Sequence, residues 1–219
     1  MICMIHLSKL AEELILWSTS EFSFIKIGDE FITGSSMMPQ KRNPDFAELV
    51  RGKTGRSIGS LVSLVTTFKA LPLSYNRDLQ EDKEPMFDSY YTLRDSLKVM
   101  TKLVESLTFD TIRMREAADE SYMMATDLAD YLVRKGMPFR EAYAKVSLAL
   151  NNFISSKKSF NDLKLKDFKK ISELFDEDVI KLTTENVVNS RKNVGGTSWS
   201  SVLYAIKQAK ITLNKKKSF

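Results

Sequence analysis

Residues 45–65 read DFAELVRGKTGRSIGSLVSLV, and this stretch decides the fold class. Its apolar side chains recur at three- and four-residue intervals, which is the period of one face of an α-helix. These positions are Leu49, Val50, Ile58, Leu61, Val62, Leu64 and Val65. Asp45 precedes Glu48 by the spacing of a capping box, so we expect Asp45 to cap a long helix that ends before Leu71-Pro72-Leu73.

Three glycines, Gly52, Gly55 and Gly59, lie inside this predicted helix. Each costs up to about 1 kcal/mol relative to alanine, so a compensating reason is expected. Gly55 and Gly59 share one face of the helix. We therefore expect a neighbouring helix to approach closely there.

Helical patterns also precede and follow this stretch. Met1–His6 looks like the abrupt start of a helix whose apolar positions continue from Leu7 to about Phe24. A further pattern begins at Asp78 and extends to Leu107, with Pro85 in its first turns, where proline is tolerated. Helices of this length are typical of bundles.

Shorter helical segments follow residue 110, and no strand-like alternation persists. The sequence therefore predicts an all-α protein in which residues 1–111 form part of a long-helix bundle and residues 112–219 form a small helical domain. The predicted segments of the second domain are Asp127 to Val133 ended by Gly136, Pro138 to about Ile154, a polar linker from Lys157 to Asp162, Leu165 to Leu174, Asp178 to about Asn189, and Thr197 to about Leu213.

Composition excludes several classes of protein. Hydrophobic residues make up 43% and charged residues 28%, as in a globular chain, and the net charge of +5 argues only weakly for nucleic-acid binding. The single cysteine, Cys3, and the single histidine, His6, exclude a disulfide scaffold and a Cys/His metal cluster, so no metal site is expected. No apolar run approaches the roughly 18 residues of a membrane span, and Met1–His6 does not resemble a targeting signal.

Residues 33–45 read TGSSMMPQKRNPD, a loop by composition that leads into the long helix. This segment fits the pattern G-S-x-x-M-x-x-K-x-N, and it resembles the signature of the fumarase/aspartase superfamily, whose members eliminate fumarate across a C–N or C–O bond. The resemblance implies that Ser35 is the general base and that Lys41 and Asn43 stabilise the negative charge formed on a carboxylate. It also implies that Ser36 contacts substrate and that Glu48 orients a histidine supplied by another region.

Residues 74–84, SYNRDLQEDKE, narrow the resemblance to the argininosuccinate lyase family and its δ-crystallin relatives. By that resemblance, Tyr75, Gln80 and Lys83 are substrate contacts. Residues 124–140 and 194–197 are also similar to this family. Gln40 and Asp45 favour it over adenylosuccinate lyase.

The resemblance implies a β-elimination that splits argininosuccinate into arginine and fumarate, in arginine biosynthesis or the urea cycle, without a metal or organic cofactor. It also implies a cytoplasmic homotetramer in which three subunits contribute to each site. The similarity covers only about the second half of the family's length, and the T-S-H-x-Q segment that carries the family's histidine has no counterpart here. His6 is not that histidine, and we expect it to be an ordinary packed or capping residue.

Two alternatives remain open. One is a truncated, non-catalytic or crystallin-like relative, which could act only by co-assembly with full-length subunits. The other is a different fumarate-releasing lyase, such as an adenylosuccinate lyase. No nucleic-acid or membrane partner is expected in either case.

Overall fold

A computed structural model describes residues 1–120, 122–155 and 163–216 of the chain. Nine α-helices dominate these ranges, and the predicted all-α class is confirmed. The chain forms two compact units, Met1–Met114 and Arg115–Phe219. Within the described ranges, no helix combines the length and apolar character that crossing a membrane requires. The predicted linker from Lys157 to Asp162 lies outside these ranges.

The first unit is built on three long helices, with α2 packed against both of the others. Its core joins apolar side chains from all three helices, including Leu14, Val50 and Leu103, to Ile25 and Ile27 from the connection after α1. The helices are α1 (Ile2–Ser18), α2 (Asp45–Phe68) and α3 (Lys83–Glu105), and 3₁₀ turns cover Asp29–Phe31 and Arg77–Asp82. Two short antiparallel pairs complete the unit: β1 (Ile25–Lys26) with β4 (Thr108–Phe109), and β2 (Thr33–Gly34) with β3 (Arg42–Asn43).

The second unit surrounds a separate core that includes Leu128, Leu132, Phe175 and Val179. Tyr131 stacks on Phe175 with ring centroids 5.3 Å apart. Burial raises the pKa of Tyr131, and its hydrogen bond to Asp178 adds to this shift. The helices are α4 (Thr111–Glu120), which begins in the first unit, α5 (Ala125–Arg134), α6 (Phe139–Ser155), α7 (Leu165–Ile171), α8 (Thr184–Ser190) and α9 (Trp199–Lys216), with 3₁₀ turns at Tyr122–Met124 and Glu177–Lys181.

A partly buried ion pair links α5 to the turn before α9. Asp127, which is buried in α5, accepts a hydrogen bond of 2.6 Å from Arg191. A Cβ on Gly196 would lie 2.2 Å from the Arg191 carbonyl oxygen, so no larger residue fits there without backbone movement. Gly195 adopts a φ of +80°, which favours glycine.

Helix α1 ends at Ser18 and not near Phe24 as predicted. The hydroxyls of Ser18 and Thr19 donate to the carbonyls of Ile15 and Leu16, and Thr19 is extended. Such side-chain bonds compete with helix continuation, so the serine and threonine cluster ends the helix although the apolar pattern continues.

The predicted capping box at α2 is wrong. Asp45 is already helical, Pro44 is the N-cap, and no side chain caps the helix. The Asp45 carboxylate instead accepts a hydrogen bond from the Thr33 hydroxyl. The Asp45 carboxylate therefore binds Thr33, at the other end of the preceding loop, and does not cap the helix.

Two further expectations about individual residues are wrong within this chain. A Cβ added at Gly52, Gly55 or Gly59 would meet nothing within 4 Å, so no helix of the described ranges approaches that face. His6 is exposed on α1 and is neither packed nor a cap. Pro85 does lie in the first turn of α3, as expected.

Candidate active site

The signature loop folds as a hairpin. Thr33 pairs with Asn43 and Gly34 pairs with Arg42 in antiparallel register. Two polar contacts anchor the paired strands of this hairpin. The Thr33 hydroxyl donates to Asp45 at the start of α2, and Arg42 forms an ion pair with Asp29. The hairpin therefore holds both ends of the loop against neighbouring backbone while its tip stays open to solvent.

Ser35 is half-buried and directly follows Gly34, the last paired residue of β2. Its Oγ accepts hydrogen bonds from the backbone N–H groups of Met37 and Met38, both at 3.2 Å. Donors directed at an oxygen favour its anionic form. Ser36, the next residue, is exposed.

Lys41 and Asn43 lie on the returning side of the hairpin. Lys41 is exposed, and its backbone N–H donates to the Met38 carbonyl at 3.0 Å, which closes the tip. Asn43 is half-buried in β3. Ser35 directly follows Gly34 and Lys41 directly precedes Arg42, so both flank the last pair of the hairpin. Because faces alternate along a strand, Thr33 and Asn43 share one face, and Arg42 lies on the other and pairs with Asp29.

Glu48 is exposed in the first turn of α2. The pKa of Arg51 is raised mainly by its hydrogen bond with Glu12, and the charge of Glu48 adds to that rise. Glu48 therefore lies close to Arg51, near the hairpin end of the helix. That position also suits the positive end of the helix dipole.

The second predicted cluster lies at the junction of the 3₁₀ turn and α3. Gln80 Nε2 donates to the Tyr75 hydroxyl at 2.7 Å, although the two residues are five positions apart. Lys83 Nζ contacts the Asp82 carboxylate at 3.0 Å. All three predicted substrate contacts, Tyr75, Gln80 and Lys83, are exposed.

The predicted residues thus form two groups. Within the described residues, no hydrogen bond or ion pair joins the hairpin residues to Tyr75, Gln80 or Lys83. The same ranges hold no cluster of three or more His, Cys, Asp or Glu side chains that could bind a metal ion.

Sequence reasoning missed the residues that fasten the hairpin, namely Asp29, Thr33 and Asp45 in its role as acceptor. A cleft of about 510 Å³ lies beside them, lined in part by Lys26, Arg42 and Asp110. The sequence offered little indication of this pairing, because it shows only that Thr33 and Asp45 stand at the two ends of the signature loop. Their hydrogen bond depends on the hairpin, which forms only in the folded chain.

Comparisons with known proteins agree over nearly the whole chain. Residues 122–189 match the family model for the argininosuccinate lyase C-terminal region, and residues 1–59 match the model for the lyase family. The argininosuccinate lyase of Oceanobacillus iheyensis is 52% identical over 97% of this chain and 46% of its own length. That of Desulfatibacillum aliphaticivorans is 47% identical with the same coverage. The chain thus spans about half the length of these curated relatives.

Solved structures give the same extent of similarity. EDDS lyase in complex with formate is 31% identical with a TM-score of 0.89, over 98% of this chain and 45% of that one. A variant of EDDS lyase with bound fumarate is 30% identical with the same TM-score and coverage. The 3-carboxy-cis,cis-muconate lactonizing enzyme from Pseudomonas putida, at 18% identity and a TM-score of 0.62 over 80% of this chain and 38% of that one, shares the fold alone.

Proposed function

Because this chain is homologous to the argininosuccinate lyases and corresponds to their C-terminal half, we propose that it supplies the base-bearing part of an argininosuccinate lyase site. The proposed reaction is β-elimination of argininosuccinate to arginine and fumarate, as in arginine biosynthesis or the urea cycle. The observation that supports the proposal is the hairpin itself: Ser35 and Lys41 directly flank the paired residues Gly34 and Arg42, and Asn43 lies in β3.

Ser35 is proposed as the general base. As the alkoxide, it takes the proton from the carbon next to the carboxylate and becomes the neutral hydroxyl, and the electron pair of the C–H bond passes into that carboxylate to give an aci-carboxylate dianion. The pair then returns to form the C=C bond of fumarate as the C–N bond breaks, and the leaving nitrogen takes a proton. The two N–H donors at Ser35 Oγ support this assignment, since they lower the cost of the serine anion.

Lys41 and Asn43 are proposed to stabilise the aci-carboxylate. Its charge develops on carboxylate oxygens, so a cation and an amide donor from the same hairpin as Ser35 would stabilise the transition state more than the substrate. Lys41 is exposed, and so its ammonium group is available to a ligand at the hairpin tip. Glu48 is proposed to orient a histidine from another segment.

Ser36, Tyr75, Gln80 and Lys83 are proposed as substrate contacts. Tyr75 and Gln80 already form a hydrogen-bonded pair, which fixes a phenol and an amide side by side. Lys83 offers a cation for a carboxylate. These groups supply the kinds of contact that a substrate with several carboxylates and a guanidinium group requires.

The complete site is proposed to need further segments. The chain spans 46% of its curated relatives, and the two groups of site residues make no polar contact with each other in the described residues. We propose that catalysis requires a homotetramer or co-assembly with full-length subunits, in the cytoplasm, and no metal or organic cofactor.

A complementation experiment tests this function. The chain is co-expressed with the N-terminal half of the Oceanobacillus iheyensis enzyme, and fumarate release from argininosuccinate is followed by ultraviolet absorbance. The proposal predicts release by the mixture and little or none by either part alone. Adenylosuccinate serves as the competing substrate, and its preferential cleavage would favour the sister lyase.

A non-catalytic role is the second candidate, and it is favoured by the lack of any polar contact between the two groups of site residues within the described ranges. A chain of this kind would join full-length subunits without adding turnover. Co-purification with a full-length relative, together with no fumarate release in the complementation mixture, would support this role over the enzymatic one.

A further inference from the structure

The connection between α2 and the 3₁₀ turn at Arg77–Asp82 is strained. Ala70 has a φ of +53° and Ser74 a φ of +84°, values that side chains other than glycine rarely adopt. Leu73 between them is 99% exposed, and Ser74 is also exposed. Burial of these side chains therefore does not offset the strain, and hydrogen bonds must do so.

Asn76 provides these hydrogen bonds. Its Nδ2 donates to the Pro72 carbonyl at 3.3 Å and to the Ser74 carbonyl at 3.2 Å. The two carbonyls lie on either side of Leu73, so one amide clasps the bend around it. The Asn76 backbone carbonyl also accepts from Leu79 at 3.1 Å, which starts the 3₁₀ turn. One residue thus joins the strained bend to the turn that follows it.

Tyr75 stands between Ser74 and Asn76, the acceptor and the donor of one of these hydrogen bonds. Its side chain is 66% exposed, and its hydroxyl accepts from Gln80, which belongs to the 3₁₀ turn. The direction of the phenol therefore depends on the backbone at Ser74 and Asn76 and on the turn that Asn76 starts. If Ser74 relaxed to a negative φ, the backbone that carries Tyr75 would change direction, and the hydrogen bond to Gln80 would have to adjust.

We infer that Asn76 is a positioning residue: its amide offsets the left-handed conformation of Ser74 and so aligns the Tyr75–Gln80 pair for substrate. The inference rests on the proposed function only in naming substrate as the ligand of that pair. It extends that function by assigning a role to a residue that does not itself need to touch substrate.

The test uses the near-isosteric variant Asn76→Asp, whose carboxylate keeps the shape but cannot donate, with Asn76→Ala as a second variant. Each is combined with Ser74→Gly, because glycine adopts a φ near +84° without a Cβ penalty. Ala70→Gly is the matched control, since it relieves the other positive φ in the same connection but lies outside the clasp.

The primary measurement is the NMR cross-peak between the Tyr75 ring and the Gln80 side-chain amide in the 219-residue chain. We expect Asn76→Asp and Asn76→Ala to reduce it to about a third or less. Ser74→Gly should restore most of the intensity and Ala70→Gly should not. In the complemented enzyme, the same variants should raise KM for argininosuccinate about fivefold with little change in kcat, and Ser74→Gly should reverse the rise.

The cross-peak does not depend on activity, so absence of fumarate release from the unmodified mixture would reject the proposed function and leave this test intact. Circular dichroism confirms that each variant is folded. A cross-peak unchanged in both Asn76 variants would overturn the inference. Equal rescue by Ala70→Gly, or no rescue by Ser74→Gly, would also overturn it, because either result separates Asn76 from the strain at Ser74.

Discussion

At the scale of single residues, the hairpin explains how an ordinary serine can serve as a proposed base. Ser35 Oγ accepts two backbone N–H groups from its own loop, a local arrangement that requires no contribution from another segment. Lys41 directly precedes β3 and is exposed. The N–H donors at Ser35 therefore come from its own loop, and the Lys41 ammonium group is accessible to a ligand.

Ser35→Ala removes the proposed base. In the complemented enzyme, we expect turnover to fall by several orders of magnitude with little loss of substrate binding, because the hydroxyl acts mainly in the transition state. Steady-state fumarate release measures both quantities. Ser36→Ala is the control and should mainly raise KM. Turnover comparable to the unmodified enzyme would reject Ser35 as the base.

Lys41→Met removes the proposed cation and keeps the length of the side chain. We expect a barrier increase of about 3 kcal/mol or more, as for the loss of a main oxyanion stabiliser. The ratio of kcat/KM values gives this energy. Lys69→Met, an exposed lysine at the end of α2, is the matched control. A change below about threefold for Lys41→Met would contradict the assignment.

At the scale of secondary-structure elements, α2 contains three glycines at positions where the surrounding space would accept alanine. These glycines face open space, and alanine would stabilise a helix more than glycine does. In the second unit, by contrast, Gly196 is required by the approach of the Arg191 carbonyl. The same residue type is thus replaceable in one element and essential in another.

Gly55→Ala and Gly59→Ala are therefore expected to raise the free energy of unfolding by about 1 kcal/mol each in this chain. Thermal or denaturant unfolding followed by circular dichroism measures the change. Gly28→Ala is the opposite control, because its Cβ would lie 2.7 Å from Ser106 Cβ and should destabilise the fold. A loss of stability at Gly55 and Gly59 would mean that another chain occupies that face.

The ion pair between Lys135, at the end of α5, and Asp176, just before the 3₁₀ turn Glu177–Lys181, should depend on pH. The hydrogen bond from Lys135 is the main cause that lowers the pKa of Asp176 below its usual 3.8. Because the folded-state pKa is depressed, this stabilisation is present at neutral pH and is lost as the pH falls through the folded value. Asp176→Asn should flatten the acid dependence of unfolding below about pH 4. Lys135→Met should flatten it in part, because Lys169 also lowers the pKa of Asp176. An unchanged acid dependence in both single variants would contradict the pairing.

At the scale of the whole molecule, the first unit leaves large apolar side chains in solvent. On α2 alone, Leu49, Val62 and Val65 are each about 60% exposed. Clusters of exposed apolar residues of this kind mark interaction surfaces or promote aggregation. The open glycine face lies on the same helix, which is consistent with a partner covering it.

We expect the isolated chain to self-associate through this surface. Light scattering after size exclusion should give a mass above that of one chain. Val62→Glu and Val65→Glu should shift the mass toward the monomer, because each places a charge in the apolar surface. Ser63→Glu, between them in sequence, is the matched control and should change little. A monodisperse monomer of the unmodified chain would contradict this expectation.

Sequence by itself determined the helical class and the segments that carry site chemistry, because apolar period and motif spacing are local properties of the chain. Only the tertiary structure decided that the signature loop is a hairpin, that Asp45 binds Thr33 and does not cap α2, and that Asn76 spans a strained bend. Each of these depends on groups that meet only after the backbone has folded. Local propensity could therefore identify the helices, whereas long-range pairing and backbone conformation decide which side chains face one another.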